Sequence, residues 1–175
     1  MNTLNDAFED LVKCLYSAEK QLLLALPKVA EMAQNPELKT AMKEHLSETR
    51  EHVTRLEQIA DTCEFSLAEG KVSKAMQGLI DGASEMVSPN QPGPALDALL
   101  ICAAQQVETF EISSYETAIN WAKALDLDDC EDLLKETLKE EKDVDSKLGS
   151  VARDVLNEAV KQVATVQQQT KGYMR

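Results

Sequence analysis

Residues 15–29 read "LYSAEKQLLLALPKV", and one letter in them decides the fold. Phe8, Leu11, Leu15, Leu22, Leu26 and Ala30 recur at steps of three and four, the signature of one face of a helix. Glu19 sits on that apolar stripe. A second stripe, Leu100, Ala104, Val107, Glu111, Ser114, Ala118 and Trp121, is interrupted in the same way by Glu111. An ionised carboxylate without a partner costs several kcal/mol in a low-dielectric interior, so two such interruptions need a reason.

Outward from that stretch, the chain reads as helical throughout. Helix formers dominate its 175 residues, only 4% are aromatic, and Gly and Pro fall mostly between periodic segments. A first helix is expected over 4–34, kinked at Pro27, and a second over 36–63, with Asn35 as N-cap and Pro36 at the first helical position. A long connection over 64–95 contains a short helix in "KVSKAMQGLIDGASEMV" and breaks at "SPNQPGP". Two more helices are expected over 95–125 and 128–151. Two helical hairpins joined by one long crossover define an antiparallel four-helix bundle of ferritin-like type. Residues 1–152 form this dimetal-binding bundle in the sequence reading. Residues 153–175 form a C-terminal helical tail with the weaker stripe Val155, Ala159, Val163 and Val166.

The net charge of −13 repels phosphate backbones and anionic membrane surfaces while attracting cations, so neither nucleic acid nor a membrane is an expected partner. Cys14, Cys63, Cys102 and Cys130 show no C-x-x-C pair and read as small core residues of a reducing compartment. The start, "MNTLNDAFED", has no signal-peptide pattern and no apolar run reaches the ~20 residues of a membrane span, so a cytoplasmic location is expected.

The second and fourth helices carry more polar groups on their inner faces. One face reads Leu38, Met42, His45, Glu48, His52, Leu56, Ile59, and the other Leu134, Leu138, Glu141, Asp145, Leu148. Glu48 follows Glu19 by 29 residues and Glu141 follows Glu111 by 30, so the hairpins repeat one another. These stripes hold no Lys or Arg. Protonation, water or metal cations must therefore neutralise the acids, and oxygen ligands with one or two imidazoles suit a pair of iron or manganese ions. The expected ligands are Glu19, Glu48, His52, Glu111, Glu141 and Asp145. His45, Glu108, Glu51, Glu140, Asp143 and Tyr115 are alternative ligands or outer hydrogen-bond partners. Either His45 or His52 reaches a metal near Glu48. On the fourth helix the repeat spacing points to Glu140 with Asp143, and the apolar stripe, which states which side faces inward, favours Glu141 with Asp145. Tyr16, Tyr115 and Trp121 read as core packing near the acids.

"LYSAEKQLLLALPKV", "HLSETREHVTRLEQI", "KAMQGLI", "AAQQVETFEISSYETA" and "LLKETLKEEKDVDSKL" together resemble the YciE/YciF family of bacterial ferritin-like proteins, also described as a domain of unknown function. The resemblance covers residues 4–150 in order. It implies a bundle related to rubrerythrins, a dinuclear metal centre, an association with stress responses and a homodimer. It places the family's acids at Glu19, Glu48, Glu111 and Glu141, with Asp145 in the matching motif; His52 departs from a position that is often glutamine there. The expected activity is ferroxidase or peroxidase-like oxidation by a di-iron site, acting on ferrous iron with oxygen or peroxide. The rivals are peroxide dismutation at a di-manganese site and a metal-free helical interaction protein.

Overall fold

Short turns fold the chain into two helical hairpins, and a long crossover lays one against the other. The computed structural model describes residues 3–173 other than 71 and 89, with residues 69 and 165–173 described in the backbone alone. Its helices are α1 (Leu4–Met32), α2 (Pro36–Thr62), α3 (Lys74–Val87), α4 (Pro94–Ala124) and α5 (Asp128–Tyr173), with a 3-10 turn at Leu67–Glu69 in the crossover. α1 packs on α2, α2 on α5, α5 on α4 and α4 on α1, so the four long helices stand at the corners of a square. Each runs antiparallel to both neighbours. No described helix is long and apolar enough to cross a membrane.

The α1–α2 turn forms as its residues dictate. Asn35 accepts from the backbone N–H groups of Glu37 and Leu38 at 2.9 and 3.0 Å, and Pro36 opens the helix where no N–H is needed. α1 continues through Pro27 to Met32. α2 and α4 end alike: Glu64 and Asp126 adopt positive φ, and Phe65 and Leu127 donate back to the carbonyls of Ala60 and Ala122 at 3.0 Å. This is a Schellman cap made without glycine. The residues expected as a separate tail instead prolong α5 without a break to Tyr173; Val155 is still buried, and the side chain of Val166 lies outside the described residues.

The interior follows a strict alternation of four- and three-residue steps, the heptad spacing of left-handed bundle packing. On α1 the buried positions of this repeat are Phe8, Val12, Leu15, Glu19, Leu22 and Leu26, with Ala18 and Ala30 buried beside them; on α2 they are Leu38, Met42, His45, Thr49, His52, Leu56 and Ile59, with Ala41, Val53 and Ala60 beside them. On α5 they are Cys130, Leu134, Thr137, Glu141, Val144, Leu148, Val151 and Val155. Most members of the expected stripes are buried, and single members lie one residue off. Val12 holds the interior position expected of Leu11, Thr49 that of Glu48, Thr137 that of Leu138 and Val144 that of Asp145. Thr49 and Thr137, being polar, carry no apolar signal for their places in the repeat. On α4, Tyr115 is fully buried in place of Ser114.

Apolar packing fills both ends of the bundle. Phe8, Leu15, Leu56, Ile59 and Leu134 form one cluster, and Leu22, Leu26, Met42, Leu100 and Leu148 belong to the other. Burial of each such side chain contributes about 1.5–3 kcal/mol. The crossover is tied down at two points. Ser73, the N-cap of α3, donates its backbone N–H to Ser17 Oγ at 2.9 Å and accepts from Gln21 Nε2 at 3.1 Å. At the start of α4, the buried Asp97 carboxylate accepts from the backbone N–H groups of Gln34 and Asn35, both at 2.8 Å.

Candidate metal centre

Between the two apolar clusters lies a waist of acids and imidazoles. Glu19, His45, His52, Glu108, Glu111 and Glu141 are each no more than 1% exposed. They fall into two groups whose ligand atoms lie within 4.8 Å of one another: Glu19, His52 and Glu141 in one, and His45, Glu108, Glu111 and Glu141 in the other. Glu141 belongs to both. The buried His/Glu cluster could hold a metal ion.

Unsatisfied hydrogen-bonding capacity is concentrated there. Among the described residues, ten buried side-chain polar atoms have no hydrogen-bond partner, and all but Gln21 Oε1 belong to these six residues. Both oxygens of Glu111 and both of Glu141 are orphaned. Orphaned buried atoms each cost about 1–3 kcal/mol, more when charged, so a set this large marks a place meant for something else. No described Lys or Arg is buried there. A cation satisfies carboxylate oxygens and imidazole lone pairs at once.

The ionisation behaviour agrees. Burial pushes Glu111 and Glu108 well above the ordinary carboxylate range, with neighbouring acids adding to the rise, and burial likewise raises Glu19. Burial also opposes the charged imidazoles, but the surrounding acids overcome it. Glu108 leads in lifting His45 to about 9, while Glu141 and Glu19 lift His52 to about 11. Glu141 is lowered despite its burial, because His52 and His45 flank it. Without metal the waist is thus a proton store.

The His52 imidazole is held from outside. His52 Nε2 lies 2.9 Å from Glu140 Oε2, and Glu140 is gripped by Arg55 at 2.6 and 3.1 Å. Arg55 keeps Glu140 ionised as an acceptor, so Nε2 carries the proton and donates to it. That leaves His52 Nδ1 facing Glu141 and Glu19, at 3.0 and 3.4 Å. A carboxylate behind a ligating histidine fixes ring and tautomer in many metal sites. Neither ring nitrogen of His45 has a hydrogen-bond partner: Nε2 faces Glu108 at 3.4 Å, and Nδ1 lies 3.8 Å from the partly exposed Glu48 and 4.0 Å from Glu141. The Tyr115 hydroxyl donates to Glu19 Oε1 at 2.5 Å.

The structure brings together Glu19, His52, Glu111 and Glu141 of the expected ligands, and adds His45 and Glu108. Glu48 stands outside both groups, beside His45. Asp145 is half-buried and accepts from Gln105 Nε2 at 3.2 Å. Glu51 and Asp143 are exposed, and Glu140 points outward to Arg55. Arg55 itself was missed, since a lone basic residue near an acid-rich helix carries no signal in sequence.

The family described as Domain of unknown function (DUF892) matches residues 3–161. The chain belongs to this family. Among curated proteins, this DUF892 chain is 40% identical to Protein YciF of Escherichia coli (strain K12) over 157 residues, 90% of this chain and 95% of that one. The crystal structure of the E. coli stress protein YciF matches at TM-score 0.86 and 39% identity, covering 90% of this chain and 99% of that one. YcfI of Rhodopseudomonas palustris matches at TM-score 0.81 and 35% identity, with 85% and 94% covered. A protein of Xanthomonas campestris pv. campestris shares the DUF892 fold at TM-score 0.71 with only 14% identity, covering 93% and 99%.

Proposed function

We propose that this protein binds two iron ions at the waist and oxidises ferrous iron with dioxygen or a peroxide as part of a stress response. The observation that carries the reading is the pair of buried ligand groups sharing Glu141. The stress setting follows its likeness to YciF, which is described as a stress protein. Iron at such a site supplies one electron from each ion of the pair. The chain supplies the rest. Glu19 with His52 and His45 with Glu108 and Glu111 form the two ends, and Glu141 lies between them. Glu140 holds the outer ring nitrogen of His52, and the Tyr115 hydroxyl fixes Glu19. The apolar clusters on either side keep water away from the acids. A homodimer belongs to the same proposal: Leu156, Val160 and Val163 share one exposed face of α5.

The test is metal analysis of protein purified without chelator and loaded anaerobically with ferrous iron, repeated on a Glu19→Ala, Glu111→Ala double variant. About two irons per chain, lost in the variant and oxidised on adding oxygen or peroxide, is the expected result. Stoichiometric manganese retained in preference to iron would favour peroxide dismutation instead. No stoichiometric metal in either protein would sink the proposal.

A further inference from the structure

A cleft of about 260 Å³ runs between α1, α3 and α4 and ends at the waist. Its rim is exposed, at Leu24, Lys28, Gln77 and Ser84, and its floor is buried, at Leu22, Leu26, Met42, Leu100 and Val107. The residue that closes the floor is Glu108. An apolar cavity of about 150 Å³ is enough for benzene, so this one takes a molecule of on the order of ten non-hydrogen atoms.

The polar atoms along the cleft restrict what that molecule is. Glu108 is 1% exposed and its Oε2 has no hydrogen-bond partner, while Oε1 faces His45. Gln21 also lines the cleft, and its Oε1 is the remaining orphaned atom of the protein's described interior. Its amide nitrogen is already used, on Ser17 and on the Ser73 carbonyl. Gln21 Oε1 is an acceptor, and the Glu108 carboxyl, whose burial holds its proton well above the ordinary carboxylate range, can donate as well as accept. An occupant must bring a group that donates and accepts at one end and apolar surface along the rest. A fatty carboxylate is the poorer match, since it brings no donor for Gln21 Oε1.

We propose that this cleft binds a small aliphatic molecule ending in a single O–H group, an alcohol or an alkyl hydroperoxide, with the O–H end hydrogen-bonded to Glu108. The inference deepens the proposed function by naming the class of molecule admitted to the waist, and it rests on that reading only for what happens after binding. α3 forms the outer wall. The long crossover thus has a use beyond joining the hairpins.

Binding is measured on chelator-treated protein, so that failure here and failure to bind iron are separate results. The probes are 1-octanol and octanoate, followed by methyl shifts of Leu22, Leu26 and Leu100 in NMR titrations. Saturable 1-octanol binding that moves these methyls, tighter than that of octanoate, is expected. Ala83→Trp on α3, which fills the cleft away from the acids, should weaken octanol at least tenfold; Ser84→Trp serves if that variant does not fold. Glu108→Leu should weaken octanol about fivefold, the loss of one hydrogen bond. Absence of saturable binding, equal binding by the tryptophan variant, equal binding by Glu108→Leu, or octanoate binding as tight as octanol would each overturn the proposal. An alkyl hydroperoxide that displaces octanol identifies a peroxide-bearing occupant; one that does not restricts the class to alcohols.

Discussion

The two hairpins look like repeats, yet they bring opposite chemistry to the waist. α1 and α2 contribute one carboxylate, Glu19, and both imidazoles, His45 and His52. α4 and α5 contribute three carboxylates, Glu108, Glu111 and Glu141, and Tyr115. Neither half is near neutrality without the other. The first hairpin supplies nearly all of the site's basic nitrogen and the second most of its negative charge, so the waist is complete only when the halves dock. A duplicated fold need not mean a duplicated site.

The comparison is most easily broken at Glu141, the one residue in both ligand groups. Glu141→Ala should lose both ions, while Glu19→Ala keeps the one held by His45, Glu108, Glu111 and Glu141; metal content per chain decides it. Equal losses would mean that the groups are not separable.

A pH series on metal-free protein sharpens the charge side of the argument. Glu108, Glu111 and both histidines hold protons to higher pH folded than unfolded. From the unfolded carboxylate value of 4.5 up to the His45 value of about 9, the folded state binds more protons, so stability falls as pH rises. Glu140 and Glu141, whose values are lowered, act oppositely in acid. The melting temperature of metal-free protein should peak at roughly pH 5. Loading with metal should reverse the slope, because ligands must lose protons to bind. A flat profile would show that the acids are hydrated.

Glu111→Leu should stabilise metal-free protein by about 1–4 kcal/mol in denaturant unfolding, since it replaces an uncompensated buried acid with packed carbon. A destabilised variant would mean that Glu111 has a partner already. Glu140→Gln tests the outer support of His52 and should weaken metal binding roughly 10- to 100-fold while leaving the fold intact. The smallest effect lies at the matched caps. Glu64→Gly should stabilise by about 0.5–1 kcal/mol, because only glycine adopts positive φ without strain. Asp126→Gly should gain less, since aspartate tolerates that region better. Unfolding midpoints compare the two.

The bounds of the first three long helices, the Asn35–Pro36 turn and the crossover helix were legible because caps, breakers and apolar period agree on them, whereas the end of α5, with no breaker just after residue 151, was not. Glu19, Glu111 and Glu141 were placed in the interior for the same reason. The ambiguity on α5 between Glu140 and Glu141 was resolvable in sequence, since the stripe states which side faces in. The places of Glu48 and Asp145 were not: polar Thr49 hides its own interior position, and a four-residue step from Glu141 reaches Asp145 as readily as a three-residue step reaches Val144. Glu108 was harder still: it shares the interior with Glu111 one turn on, and a helix face wide enough to bury both shows up only once neighbours are packed. The approach of Cys63 and Cys130, 3.6 Å between sulfurs and 67 residues apart in sequence, was equally beyond spacing rules.

Asp97 carries a consequence for how the chain reaches this state. Each hairpin closes through a turn of three residues, but Asp97 meets Gln34 and Asn35 across 63 and 62 residues of chain. Local pairing is fast and long-loop closure slow, so the hairpins form first and their docking limits the rate. The carboxylates of the two halves meet only in that step. A cation that offsets their mutual repulsion should therefore speed docking, and a chain refolded with chelator should pass through that step more slowly.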